Sequence, residues 1–211
     1  MNSILIIAGP SAVGKTTVMR RVLEREPRFE FIRSKTTRLP RGDGQDNEYI
    51  YTTREDFLNG IKTGEVLEYT EYADNYYGTP RSEIERIISS GKIPLLILDM
   101  NGVRTLKRQK HNFNVVSIYL WDNIKVLNGR LGERYSGSFD AQEKLVSRIA
   151  QNRADFKKLP KMAEYFDAFI HNSDLDSTAS EIVSEFLRIS AGGERDVDYI
   201  NYVADLIYHF A

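Results

Sequence analysis

The sequence feature that most constrains this chain is a segment near its N-terminus, Gly9-Pro10-Ser11-Ala12-Val13-Gly14-Lys15-Thr16. It matches the pattern G-x-x-x-x-G-K-[ST]. Residues 4–8 before it are apolar throughout, which predicts a parallel strand buried on both faces. Residues 16–25 after it carry apolar side chains at helical spacing, which predicts an α-helix. A strand, this loop and a helix in that order are the context in which the motif binds phosphate.

Each residue type in this loop has a defined task at a phosphate group. Glycines let backbone N–H groups turn toward an anion, and the helix N-terminus adds a favourable dipole. Lys15 would place its charge on the β- and γ-phosphates, and the Thr16 hydroxyl is suited to Mg²⁺. We expect Ala12 to be tolerated unless its position needs a positive φ. The loop predicts nucleoside triphosphate binding, although GTPases, ATPases and kinases share it.

Composition excludes several classes of protein. The chain has 211 residues, 41% of them hydrophobic, and a formal net charge of −1, which is ordinary for a globular protein and gives no argument for nucleic-acid binding. Cysteine is absent, so disulfides, thiolate metal sites and a cysteine nucleophile are excluded. No apolar run approaches the roughly 18 residues that a membrane span needs, and no signal peptide is recognisable. We therefore expect a cytoplasmic protein that binds neither membranes nor nucleic acid.

The order of the predicted elements favours an α/β fold. Apolar strands at residues 94–98, 115–120 and 168–171 alternate with amphipathic helices, as in a parallel sheet flanked by helices. Residues 34–81 differ, because they are rich in Arg, Tyr, Thr and acids with short β-like runs, and we interpret them as a small inserted α/β domain. Residues 191–211 place apolar side chains at helical spacing and predict a C-terminal helical extension.

The inserted segment begins with a basic stretch. Residues 33–41 hold four basic side chains and no acid. Pro40 keeps the preceding residue out of the helical region, so Arg38 and Arg41 can converge on one dianion. The alternative is a solvated basic loop.

A carboxylate further along the segment suggests how a base could be recognised. Glu68 lies in an apolar-flanked strand, and Tyr49, Tyr77 and Thr79 offer uncharged hydroxyl donors nearby in sequence. A carboxylate can accept two parallel hydrogen bonds from the N1–H and N2 amino group of guanine. Adenine lacks that donor pair and would leave the carboxylate unpaired, which gives a basis for discrimination.

Taken together, these motifs resemble those of guanylate kinases, the ATP:GMP phosphotransferases. The resemblance covers about residues 3–190 and runs in family order. The matching elements are the phosphate loop 9–16, Thr36-Thr37-Arg38-Leu39-Pro40-Arg41, Glu68 in its strand, Asn75-Tyr76-Tyr77-Gly78-Thr79, Leu98-Asp99 with Gly102, and Arg130-Leu131 with Arg134.

The resemblance implies a P-loop core, an inserted GMP-binding domain and a helical lid. The implied division is core 1–33, 82–124 and 162–190, nucleoside monophosphate domain 34–81, lid 125–161 and extension 191–211. The implied ATP-binding residues are Gly9, Pro10, Ser11, Ala12, Val13, Gly14, Lys15, Thr16, Thr17 and Asn172. The implied GMP-binding residues are Ser34, Arg38, Arg41, Tyr49, Glu68, Tyr77, Thr79 and Asp99. The implied catalytic residues are Lys15, Arg38, Arg130, Arg134 and Arg148, with Mg²⁺ on Thr16.

The chain departs from the family pattern in places. Ile97 stands where the family commonly has an Asp, and the lid is longer than is typical, which suggests a divergent paralogue. Three alternatives remain open at this point: a non-catalytic guanylate-kinase-like module that binds a protein, a kinase for another nucleotide or a ribosyl phosphate, and a plain NTPase. The expected partners are ATP and GMP or dGMP, with the protein as a monomer or homodimer.

Overall fold

A computed structural model describes residues 2–40, 48–72, 74–136 and 139–209. In this part of the chain the strands are β1 Ser3–Ala8, β2 Phe29–Phe31, β3 Ser34–Thr36, β4 Tyr49–Tyr51, β5 Val66–Tyr72, β6 Asn75–Pro80, β7 Ile93–Ile97, β8 Asn114–Trp121 and β9 Ala168–His171. The α-helices are α1 Lys15–Arg25, α2 Arg54–Thr63, α3 Arg81–Ser89, α4 Met100–Arg108, α5 Ile124–Arg134, α6 Phe139–Met162, α7 Leu175–Ser190 and α8 Val197–His209. A 3₁₀ turn, Ala163–Tyr165, connects α6 to β9.

Five parallel strands form the first sheet, in the order β2-β7-β1-β8-β9. β1 lies at its centre, where Leu5 is in register with Leu95 on one side and Val116 on the other. All five residues from Ile4 to Ala8 are buried, although their side chains alternate between the faces. Helices therefore cover both faces of this sheet, and the predicted α/β fold class is confirmed.

The second sheet has the order β4-β3-β6-β5 and mixes one parallel with two antiparallel pairings. All four strands fall within residues 34–80. Strands at 49–51 and 66–70 were expected from the sequence, whereas β6 was not, because its tyrosines, glycine and threonine suggested hydroxyl donors more than a strand. The separation of the chain into a core, an inserted domain and a lid remains a prediction.

Helix α2 shows how short polar signals set the limits of an element. The Thr53 hydroxyl accepts a hydrogen bond from the backbone N–H of Asp56 at 3.0 Å, which caps the first turn. Gly64 ends the helix with φ of 74°, a left-handed conformation that costs glycine little. The sequence predicts both ends, because Thr53 followed by Asp56 is a capping-box pattern and the helix is expected to stop near Gly64, and the structure confirms them.

The C-terminal helix α8 packs against α6 and β9. It buries Ile200, Val203, Ala204 and Ile207, so its apolar stripe is covered by the chain's own core. Val197, at the start of the predicted stripe, is exposed, and Phe210 lies outside the described residues. Among the helices that the structure describes, none has the length and hydropathy to cross a membrane.

Candidate active site

The glycine-rich loop lies between β1 and α1, at the carboxyl end of the central strand. Gly9 has φ of 151°, and a Cβ there would lie 2.4 Å from the carbonyl oxygen of Leu120 on β8. Gly14 has φ of 95°, and a Cβ there would lie 2.9 Å from Nδ2 of Asn172. Both glycines of the motif are therefore required by backbone conformation and by close neighbours.

The carbonyl oxygens of residues 9–13 all accept hydrogen bonds from side chains. The donors are Lys15 Nζ to Gly9 and Pro10 (2.8 and 2.9 Å), Asn152 Nδ2 to Ser11 (3.2 Å), Arg130 Nη1 to Ala12 (3.5 Å) and Asn172 Nδ2 to Val13 (2.6 Å). Two N–H groups of the loop are also bonded, that of Ser11 to Asn152 Oδ1 at 2.8 Å and that of Val13 to the Pro10 carbonyl at 3.4 Å.

Ala12 has a positive φ of 66°. Alanine was expected to be tolerated here unless the position needed a positive φ, and the position does need one. A side chain with a Cβ costs about 1–2 kcal/mol in this region, so the loop holds a small amount of strain at its tip. The hydrogen bonds to the neighbouring carbonyls keep the loop in this conformation.

Several charged side chains act on the ammonium group of Lys15. Burial, with Arg148 and Arg134 nearby, lowers the pKa of Lys15 to about 8, and the carboxylates of Asp155 and Asp99 oppose this effect. The structure thus brings Lys15 within electrostatic range of two of the three predicted lid arginines. Thr16 and Thr17, in the first turn of α1, are exposed to solvent beside it.

The third lid arginine contacts the loop directly. Arg130 on α5 forms an ion pair of 3.1 Å with the buried Asp122, in addition to its contact with the loop carbonyl. Asp122 also lies 3.4 Å from Nε2 of His171. Arg148 on α6 lies over the ring of Tyr72, 5.7 Å from its centroid, so α6 contacts the end of β5.

Glu68 is the buried carboxylate of the second sheet. It is 7% exposed, and its Oε1 accepts a 2.6 Å hydrogen bond from the hydroxyl of Thr79. Its Oε2 faces Gly102, where a Cβ would lie 3.0 Å from it. Burial, with a smaller contribution from Asp99, raises the pKa of Glu68 to about 7, while the Thr79 hydrogen bond acts in the opposite direction.

A cluster of phenols surrounds Arg38. Its guanidinium lies 5.1 Å from the ring centroid of Tyr49 and 5.8 Å from that of Tyr51, and it donates a 3.3 Å hydrogen bond to the Tyr51 hydroxyl. Tyr77 packs edge-to-face on Tyr49 at 6.1 Å. Ser34 is opposite Tyr49 in the β3–β4 register. The structure therefore brings together four of the residues predicted to bind a monophosphate.

Asp99 connects the two halves of the site. Its carboxylate caps α4 by accepting the Gly102 N–H at 2.8 Å. Asp99 follows β7, whose Ile97 is in register with Ile7 just before the glycine-rich loop, and Gly102 in turn faces Oε2 of Glu68. The charge of Asp99 raises the pKa values of both Lys15 and Glu68. Arg41, the second arginine of the predicted phosphate grip, lies outside the described residues.

Sequence reasoning missed several polar residues that support the site. Asn152 and Asp155 lie on α6, and they were missed because the many charged residues of this segment indicated a solvent-exposed helix. Asp122 and Tyr51 belong to no motif recognised in the sequence. The signal that could have identified Asn152 is its helical spacing from the buried Phe156 and Leu159, which places a polar group on the inward face.

A parallel sheet with a Gly-Lys-Thr loop at the carboxyl end of its central strand defines a P-loop nucleotide-binding protein. The family model described as guanylate kinase matches residues 1–189. The guanylate kinase of Synechocystis is 35% identical over 181 residues, which cover 85% of this chain and 91% of the relative. The guanylate kinase of Rubrobacter xylanophilus is 30% identical, covering 90% of this chain and 96% of the relative. The chain belongs to the guanylate kinase family.

A solved structure agrees with this assignment. The crystal structure of guanylate kinase from Anaplasma phagocytophilum is similar with a TM-score of 0.58 and 27% sequence identity. The match covers 89% of this chain and 85% of that chain. The likeness therefore extends over most of both chains.

Proposed function

We propose that this protein transfers the γ-phosphoryl group of ATP to GMP, or to dGMP, giving ADP and the corresponding guanosine diphosphate. The observation that carries the proposal is the position of Asp99. It follows β7, whose Ile97 is in register with Ile7 just before the glycine-rich loop, and its carboxylate accepts the N–H of Gly102, the residue that Oε2 of Glu68 faces. A triphosphate-binding loop and a base-reading carboxylate would then act on one shared space. Membership of the guanylate kinase family supports the same reaction.

On the ATP side, residues 9–17 would hold the phosphates and Asn172 would lie near the adenine. Lys15 would neutralise the β- and γ-phosphates. Arg130, Arg134 and Arg148 would meet the transferring phosphoryl group from the lid. These positive charges favour the charge distribution of the transition state, which is the main catalytic contribution that phosphoryl transfer requires.

On the GMP side, a group of residues would hold and orient the acceptor. Glu68 would accept hydrogen bonds from guanine, with Ser34 and Thr79 beside it and Asp99 at the edge of the base. The residues proposed to hold the GMP phosphate are Arg38, Arg41, Tyr49 and Tyr77. Arg38 and Arg41 would direct the attacking phosphate oxygen in line with the bond that breaks.

Mg²⁺ is the expected cofactor, and the residues present fit it. The exposed Thr16 hydroxyl is a hard oxygen donor beside the phosphate loop, and Mg²⁺ is commonly held by one or two protein oxygens together with substrate phosphates and water. Within the described ranges, no three His, Asp or Glu side chains gather into an independent metal site. When bound, Mg²⁺ would neutralise charge on the β- and γ-phosphates.

Water must be kept from the reacting phosphoryl group, because it would otherwise accept that group. The contact of Arg148 on α6 with Tyr72 on β5 supports an approach of the predicted lid to the second sheet. We propose that closure around both nucleotides excludes water. The protein would work in the cytoplasm on free nucleotides, as a monomer or homodimer.

A coupled assay with a panel of acceptors tests this function. We expect ADP formation to depend on GMP or dGMP and to be negligible with AMP, UMP and CMP. Turnover with AMP equal to that with GMP would refute the base-reading assignment. Phosphate release independent of any monophosphate would indicate a plain NTPase, and ATP binding without transfer would favour a protein-binding module.

A further inference from the structure

Asn152 joins the lid helix to the tip of the glycine-rich loop. Its side chain is 2% exposed, in the middle of α6. Its Oδ1 accepts the backbone N–H of Ser11 at 2.8 Å, and its Nδ2 donates to the Ser11 carbonyl at 3.2 Å. The two residues are 141 positions apart in the sequence, so the contact is made only in the folded chain.

A carboxamide suits this position chemically. Ser11 presents one donor and one acceptor from its backbone, and the carboxamide of Asn or Gln offers a neutral acceptor atom and a neutral donor atom side by side at one end. The Asn152 side chain therefore pairs with Ser11 as a neighbouring β-strand would. Because Asn152 is buried and the pair is partly so, removing the side chain leaves backbone groups of Ser11 unpaired and destabilises this arrangement.

The loop needs such a restraint at this point. Ala12, the residue after Ser11, has a φ of 66° that alanine adopts at a cost. Residues in this conformation persist only where their surroundings hold them. The Ser11–Asn152 pair precedes the strained residue, and the Arg130 contact holds the carbonyl of Ala12 itself.

The same helix also carries groups that act on Lys15. Arg148 lowers and Asp155 raises the pKa of Lys15, and Asn152 lies between them in the sequence of α6. A shift of α6 relative to the loop would therefore alter two things together, namely the path of the loop backbone and the charge environment of its lysine.

We infer that Asn152 is a positioning residue that holds the phosphate loop in its ATP-binding conformation and couples the lid helix to that loop. The inference rests on the proposed function in that the loop binds ATP. We expect Asn152 to affect ATP binding alone, because its hydrogen bonds are to the phosphate loop and not to residues of the second sheet.

The test compares Asn152→Leu, which keeps the size and removes both hydrogen bonds, with Arg153→Gln, an exposed change one residue along the same helix. Calorimetry with MgATP should show about tenfold weaker binding for Asn152→Leu, as expected for one or two lost neutral hydrogen bonds. The Kd for GMP should stay within about twofold of the wild-type value, because the substitution removes no hydrogen bond to the proposed GMP-binding residues. Arg153→Gln should match wild type for both ligands.

Two results would overturn the inference. One is unchanged MgATP affinity in Asn152→Leu, and the other is an equal loss of MgATP and GMP affinity, which would indicate general damage to the fold. If Asn152→Leu does not fold, Asn152→Ser keeps one hydroxyl for the pair and should show a smaller loss of MgATP affinity alone. Full MgATP affinity in Asn152→Ser would count against the inference.

A second measurement does not depend on nucleotide. In wild type, amide hydrogen exchange at Ser11 should be slow, because its N–H is bonded to Asn152, and in Asn152→Leu it should become at least tenfold faster, on the scale of one lost hydrogen bond. Equal exchange in the two proteins would refute the contact. Failure of wild type to phosphorylate GMP would instead refute the proposed function and leave this comparison of amides intact.

Discussion

The hydroxyl of Thr79 donates a 2.6 Å hydrogen bond to the buried carboxylate of Glu68, from the neighbouring antiparallel strand. One carboxylate oxygen is thereby held in place by the second sheet, and the other faces Gly102. Glycine at position 102 is needed there, because a Cβ would press on that oxygen at 3.0 Å. This arrangement orients a carboxylate without neutralising it by a cation, which suits a group that must accept hydrogen bonds from a ligand.

Substitution of Glu68 by Gln should weaken GMP selectively. The amide offers one acceptor where the carboxylate offers two, and hydrogen bonds to a charged group contribute about 1.5–3 kcal/mol. We therefore expect the Kd for GMP to rise by about 10- to 100-fold while the Kd for MgATP stays unchanged. Glu71→Gln, an exposed change on the same strand, is the matched control. Equal loss for both nucleotides would contradict the assignment.

GMP binding should depend on pH near neutrality. Burial raises the pKa of Glu68 to about 7, so in the free protein the carboxyl is mostly protonated at pH 6 and mostly ionised at pH 8. Since guanine binds the ionised form, its Kd should fall by about tenfold between these two values. The phosphate of GMP also titrates near pH 6, and Glu68→Gln reports that contribution alone. Identical pH profiles in the two proteins would exclude Glu68 as the titrating group.

Loss of the Lys15 ammonium should abolish most of the turnover. Lys15→Met keeps the chain length and removes the charge, and losing one such electrostatic group typically costs about 10²–10³-fold in kcat. GMP affinity should be unchanged, because Lys15 lies at the loop. In wild type, MgATP affinity should weaken above pH 8, where the ammonium with its lowered pKa loses a proton. An MgATP affinity that does not change between pH 7 and pH 9 would contradict the positive charge assigned to Lys15.

A separate prediction concerns stability. Glu83 at the start of α3 accepts hydrogen bonds from Arg33 and Arg86, at 2.9–3.1 Å. Desolvation raises the pKa of Glu83, but together the two arginines outweigh it and lower the pKa to about 2. A carboxyl with a depressed pKa stabilises the fold above its unfolded pKa of 4.5, and this contribution is lost as pH falls toward 2.

Glu83→Gln should therefore lower the free energy of unfolding at pH 7. Both arginines are half exposed and solvent screens them, so we expect a loss of about 1 kcal/mol. Denaturant unfolding at pH 7 and pH 3 measures it, and the difference between the two proteins should shrink at pH 3. A difference that is the same at both pH values would show that the loss comes from packing instead of charge.

The central sheet and the glycine-rich loop could be predicted from the sequence, because their signals are local. Continuous apolar runs predict buried parallel strands, and Thr53 and Gly64 set the ends of α2 through contacts within a few residues. The glycines at positions 9 and 14 are required by backbone angles that the motif itself encodes.

The supporting contacts of the site could not be predicted in this way. Asn152 reaches Ser11 across 141 residues, and Asp122 is placed beside Arg130 by the meeting of β8 with α5. Strand β6 was missed because its stability comes from pairing with β3 and β5, and the sequence shows no apolar alternation there. The sequence indicates that alanine at position 12 is strained if φ is positive there, but only the fold imposes that angle.

The most direct test of the central claim follows the phosphoryl group itself. Wild-type protein is mixed with ATP labelled in its γ-phosphate, Mg²⁺, and equal amounts of GMP and AMP, and the products are separated after a single turnover. The account predicts that the label appears in GDP, with none above background in ADP formed from AMP. Label found mainly in inorganic phosphate, or shared equally between the two diphosphates, would contradict it.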